Sequence, residues 1–122
     1  MSRQIKFRVW DVLNNEMLYS SDKTANCFNI KLNGDVVDGN GCSYDETFPI
    51  MQYTGLKDEN GKDVYEGDII KFPQRTHCIY SEVTYSEYDL AFKIEDRFIR
   101  ELLKHKIIVV IGNIYENKEL LA

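Results

Sequence analysis

Five carboxylates fall within thirteen residues: Asp58, Glu59, Asp63, Glu66 and Asp68, in the stretch DENGKDVYEGDII. Clustered carboxylates can hold a divalent cation, or split their pKa values and do acid–base work. The spacing argues against the cation. An EF-hand-type loop needs oxygen ligands at positions 1, 3 and 5 and glycine at 6. With Asp58 and Asn60 placed first and third, Lys62 falls where a ligand belongs and Asp63 where the chain must turn. For acid–base work, Glu66 and Asp68 would share one face of a regular strand, with Asp63 as a third carboxylate for a hydrolase. Gly67 between them disturbs that alternation, and no histidine or cysteine lies within the stretch. The favoured reading is a hairpin. Asn60-Gly61 offers the two positive-φ residues of a type I′ turn, with Asp58 and Lys62 as solvated flanks. Glu66-Gly67-Asp68 then reads as a polar bulge on an exposed edge.

Nucleophilic catalysis needs a serine or cysteine next to a base. The two histidines are His77 and His105. His77 adjoins Cys78, but neighbours on a strand point to opposite faces. His105 sits in the basic run Lys104-His105-Lys106. There is no G-x-S-x-G, P-loop or G-x-G-x-x-G. Tyr80, Tyr85, Tyr88 and Phe92 could stack the bases of a single strand, but Glu82, Glu87 and Asp89 among them oppose a phosphate track. No catalytic, cofactor-binding or metal-ligating residue is assigned.

The elements that would position these residues are mostly strands. The chain has 122 residues and a net charge of −5, which suits one domain or two small lobes and disfavours a nucleic-acid binder. Cys27, Cys42 and Cys78 are an odd set without C-x-x-C spacing, so reduced thiols in a cytosolic protein are expected. The start, MSRQIKFRVWD, has no apolar signal region. The longest apolar run, IIVVI at 107–111, is too short to cross a bilayer.

IKFRVW alternates, with Ile5, Phe7 and Val9 facing a core and Lys6 and Arg8 facing solvent. It returns as EMLYS through Asn14-Asn15. FNIKLNGDVVD is a second hairpin, turning at Asn33-Gly34. IMQYTGL and DVYEGDIIKF flank Asn60-Gly61, with Pro73 ending the run. HCIYSEVTYSEYDLAFKI is a further hairpin. EDRFIRELLKHK reads as a helix over 95–105, with Phe98, Ile99, Leu102 and Leu103 on one stripe and charges placed as the dipole prefers. IIVVIGNIY is a buried strand broken at Gly112-Asn113, and ENKELLA adds a helical turn.

Three blocks, IKFRVWD, MQYTGLKDENGKDVYEGDIIKF and VIGNIYENKELL, together resemble the YopX family of phage and prophage proteins. Members of that family often carry proline where this chain has Lys118. The resemblance implies a phage-encoded protein, intracellular in a bacterial host and assembled into oligomers. It implies no enzymatic activity and no site residues to carry over.

The expected architecture is α+β, predominantly antiparallel β. An N-terminal β-hairpin lobe would cover 1–47. A small SH3-like β-barrel lobe with one α-helix at 95–105 would cover 48–122, the two forming one compact domain if they pack together. The expected function is a non-catalytic protein–protein interaction or assembly module, homo-oligomeric and cytoplasmic, with a host or phage protein as a further partner. No cofactor, membrane or nucleic-acid partner is expected. The competing readings are a nucleic-acid-associated small barrel and a carboxylate-based hydrolase.

Overall fold

The computed structural model describes residues 5–19, 28–30, 36–38, 48–74, 76–94, 97–98 and 108–121. Among the described residues the strands are β1 (Phe7–Asp11), β2 (Glu16–Tyr19), β3 (Phe28–Ile30), β4 (Val36–Asp38), β5 (Ile50–Lys57), β6 (Asp63–Tyr65), β7 (Asp68–Gln74), β8 (His77–Ser86), β9 (Ala91–Ile94), β10 (Arg97–Phe98) and β11 (Val109–Asn113). A 3-10 turn, Lys118–Leu121, follows. The chain divides into two compact units, Gln4–Gln52 and one holding Tyr53–Ala122.

In the first unit, β1 pairs antiparallel with β2 and with the start of β5. The β1–β2 turn is built by Asp11. Its Oδ1 accepts the N–H groups of Leu13 and Asn14, and its Oδ2 the Asn14 side-chain amide. Asn15 takes a positive φ of 53°, as the Asn-Asn signal suggests. The alternation expected of IKFRVW is corrected. Ile5 is 64% exposed and Arg8 only 2%. Arg8 through Asp11 are all buried, so both faces of β1 are covered and a two-sided pattern cannot hold. β3 and β4 pair antiparallel, as the second hairpin requires; its turn lies outside the described residues.

The second unit holds the rest of β5, paired with β6, and a five-stranded antiparallel sheet in the order β10-β9-β8-β7-β11. Its core gathers Val64, Ile70, Phe72, Val83, Ile94, Ile108 and Val110. β7 is the pivot. Ile69 and Ile70 point to opposite faces of this strand and both are fully buried, so both of its faces are covered there, while β8 and β11 pair with its two edges. Pro73 lies inside β7 rather than ending it. There it stands opposite Cys78 of β8.

The expected α+β class, with one α-helix on an SH3-like barrel, is corrected. Among the described residues the fold is nearly all antiparallel β, in one four-stranded sheet, one five-stranded sheet and the β3–β4 pair. The helix at 95–105 fails at its start, where Arg97 and Phe98 pair back onto Ile94 and Lys93. An amphipathic stripe is a local preference, and it loses to a ladder that buries Ile94 completely. Residues 99–105 lie outside the described residues.

Between β6 and β7 the chain turns a corner at Glu66-Gly67. Gly67 is buried, with φ of 83°. Its N–H donates to the Val83 carbonyl and its carbonyl accepts from the Ile114 N–H, both at 2.9 Å. The corner is therefore clamped from β8 on one side and from the turn after β11 on the other. A β-branched side chain is badly accommodated at positive φ. Gly67→Val is expected to lower stability by about 1–3 kcal/mol, read from the urea midpoint at unchanged m-value. A wild-type midpoint would show that the corner tolerates a side chain.

Candidate functional site

The carboxylate stretch is built around Asp58. The loop closes with Asp58 N–H donating to the Lys62 carbonyl at 2.8 Å and Gly61 N–H to the Asp58 carbonyl at 3.0 Å. Of the Asn60-Gly61 pair only Gly61 has a positive φ, 82°. This is the three-residue hairpin loop with glycine in the left-handed position, which corrects the type I′ expectation. Asp58 is 7% exposed, not a solvated flank. Its Oδ1 accepts the N–H groups of Asn60 and Lys62, each at 2.9 Å. Its Oδ2 accepts the N–H of Val110, 52 residues away, at 2.9 Å. Glu59 N–H donates to the Ile108 carbonyl at 3.0 Å.

Asp68 and Asp63 are also placed, by a main-chain and a lysine contact respectively. Asp68 is 2% exposed, and its Oδ2 accepts the Tyr65 N–H at 2.8 Å, stapling the corner. It is neither on an exposed edge nor in a bulge. Glu66 is half-buried in the turn itself, so the shared strand face imagined for Glu66 and Asp68 does not form. Asp63 pairs with Lys57 at 2.9 Å on the surface, and this contact raises the Lys57 pKa. Among the described residues no group of three His, Cys, Asp or Glu side chains is placed to hold a metal ion. Cys78 is exposed on β8. His105, Cys27 and Cys42 lie outside the described residues.

A second cluster closes the C-terminal turn. Asn113 Oδ1 accepts the N–H groups of Tyr115 and Glu116 at 3.0 and 2.9 Å. Asn117 answers with its own Oδ1, taking the Asn113 N–H at 3.2 Å, and with its N–H, given to the Asn113 carbonyl at 2.9 Å. A methyl group on Gly112 would sit 2.7 Å from Asn117 Cγ and 2.9 Å from its Cβ, so GNIYEN needs glycine for close approach.

The aromatics divide. Tyr85 packs edge-on against Phe92, ring centroids 5.2 Å apart. The β8–β9 tip, Glu87 to Leu90, leaves Tyr88 96% and Leu90 77% exposed, with Leu90 at φ 53°. The tip is stiffened by Asp89, whose Oδ2 accepts from the Ser86 hydroxyl and from Lys93 Nζ. Those two hydrogen bonds, Lys93 first, hold the Asp89 carboxyl below its ordinary pKa. Nothing in the composition singled out Leu90; the signal was the S-x-x-D spacing before it.

The YopX family model, described as YopX protein, matches residues 6–122. The chain belongs to this family. Protein EF1440 from Enterococcus faecalis is similar, with 32% identity, a TM-score of 0.70, and coverage of 99% of this chain and 100% of that one. Protein yopX from Bacillus subtilis is similar at 25% identity, TM-score 0.65, covering 96% and 98%. No curated protein matches the chain. Of the three blocks that carry the YopX resemblance, IKFRVWD forms β1, the middle block holds the Asp58 loop and the Gly67 corner, and the last holds the Asn113–Asn117 turn. Among the described residues no helix is long and apolar enough to cross a membrane.

Two outcomes are expected. Gly112→Ala should destabilise the fold by about 1–3 kcal/mol, and by less in an Asn117→Ala background, a coupling that a double-mutant cycle in urea measures. Additive losses would mean that the methyl group meets something else. Glu82 is half-buried, and burial raises its carboxyl pKa. A pKa raised on folding means that the folded state holds its proton more tightly, so the charged form costs stability at neutral pH and the cost fades as pH falls. Glu82→Gln should thus raise Tm at pH 7, and the gain should shrink toward zero below about pH 4. A gain constant with pH would assign the effect to packing instead.

Proposed function

We propose that the chain is a non-catalytic interaction and assembly module, a phage- or prophage-encoded accessory protein working in the bacterial cytoplasm. The observation that carries this reading is the use made of its polar groups. Asp11, Asp58 and Asp68, the buried carboxylates, all accept main-chain N–H groups. Their lone pairs build turns. Among the exposed large apolar side chains of the described residues, the two most exposed, Tyr88 and Leu90, project together from the stiff β8–β9 tip.

A left-handed backbone at a leucine costs energy and persists where the surroundings impose it. Here the Ser86–Asp89–Lys93 contacts impose it. A stiff tip with a large aromatic and an aliphatic group is suited to anchoring in another protein, since little entropy is lost on binding. Glu87 and Asp89 at the same tip make a phosphate-bearing partner unfavourable. The resemblance to the YopX family supports the phage setting and self-assembly, and both similar solved proteins come from bacteria.

The reading is tested by light scattering across a tenfold dilution, on wild type and on a Tyr88→Ser, Leu90→Ser double variant. The wild type is expected above monomer mass, with the double variant folded and of lower mass. A wild type that is monomeric throughout counts against self-assembly. A double variant of unchanged mass places the contact elsewhere.

A further inference from the structure

The most apolar run of the chain, IIVVI at 107–111, contains only β-branched residues and has no charge and no proline. Runs of this kind add to one another as strands wherever an edge is open. Its described part enters β11, which stands last in the five-stranded order and, among the described residues, pairs as a strand only with β7. The outer side of β11 is therefore an edge, and its main-chain groups need an occupant.

The occupants are the Asp58 and Asn117 side chains, each helped by a main-chain N–H, of Glu59 and of Asn117. On the outer side, the Val110 N–H donates to Asp58 Oδ2 at 2.9 Å, and the Ile108 carbonyl accepts from Glu59 N–H at 3.0 Å. Ile108 and Val110 are alternate residues, as groups on one side of a strand must be. The Asp58 carboxylate stands where the carbonyl of a neighbouring strand would be. Beyond the register shift between Val110 and Gly112, Asn113 turns its N–H and carbonyl to Asn117, at 3.2 and 2.9 Å. Gly112 leaves the space that lets Asn117 come so close.

We propose that Asp58 and Asn117 are edge guards. By occupying the outer main-chain groups of β11 they prevent a second copy's β11 from adding there as an antiparallel strand. The second copy is the fitting intruder because the run is uncharged and self-complementary, and two-fold pairing sets it against itself. The guard is separable from the turn that carries it. The loop is held by Asp58 Oδ1, by Gly61 N–H on the Asp58 carbonyl and by Asp58 N–H on the Lys62 carbonyl. Only Oδ2 reaches β11.

Asp58→Asn uses this separation. The amide keeps one acceptor oxygen for Asn60 and Lys62 and sets an N–H against the N–H of Val110. The variant is expected to keep its far-UV circular dichroism and to exchange the Val110 amide about tenfold faster. Its mass in light scattering should rise with concentration beyond that of wild type. Adding Ile111→Lys, which puts a charge on the edge, should return the mass to the wild-type value. Asn117→Ala should free the Asn113 N–H at the other end, with the same concentration dependence. A folded Asp58→Asn with wild-type mass at every concentration would overturn the proposal, as would growth that Ile111→Lys leaves untouched. If Asp58→Asn does not fold, a folded Asn117→Ala of wild-type mass overturns it. In the wild type itself, free exchange of the Val110 amide does so without any variant.

Discussion

One carboxylate accepting three main-chain N–H groups fixes the second unit. Asp58 shapes the β5–β6 loop with Oδ1 and ties that loop to β11 with Oδ2. The β5–β6 loop is joined to the β11 segment at this point by that side chain and by the Glu59 N–H on the Ile108 carbonyl. Hydrogen bonds to a charged acceptor are worth about 1.5–3 kcal/mol each, and three converge here. Losing the acceptor would leave the Val110 N–H buried without its partner, which is the costly case.

The same device recurs at smaller scale. Asp11 takes two N–H groups to turn β1 into β2, and Asn113 takes two to start the C-terminal turn. Asp68 takes one across the Gly67 corner. In each case a short side chain at a strand end supplies the acceptor that the departing backbone needs. A stretch crowded with Asp, Asn and Gly thus looks like a binding site in one dimension and is a set of joints in three.

Much of this was legible in the sequence and some was not. Asn14-Asn15 and Asn60-Gly61 mark their turns by residue type alone, because positive φ and short polar side chains are local properties; the β8–β9 tip does not, since its left-handed residue is a leucine. The strands at 50–57 and 77–86 follow from β-branched and aromatic runs. The YopX resemblance rested on the very blocks that hold the joints. What escaped was non-local. The burial of Asp58 depends on Val110, half the chain away. The burial of Arg8 depends on β1 having both faces covered. The false helix at 95–105 had its stripe and its charges in order, and only the pairing of Arg97 with Ile94 revealed a competing ladder. The candidate catalytic carboxylates were located by type, but their employment as backbone acceptors is a matter of contacts that spacing does not encode.

The 52-residue separation between Asp58 and Val110 also sets an order of events. A ribosome releases a chain from its N-terminal end, so the loop that carries Asp58 leaves before the IIVVI run does. The loop's own bonds span at most four residues and need nothing downstream. Long-range contacts form late because their chain entropy must be overcome first. The apolar run therefore emerges toward a receptor already folded for it, and the time it spends as an unclaimed strand is limited by a short search within one molecule. Among nascent chains crowded on one message, that timing favours the native pairing over the neighbour's.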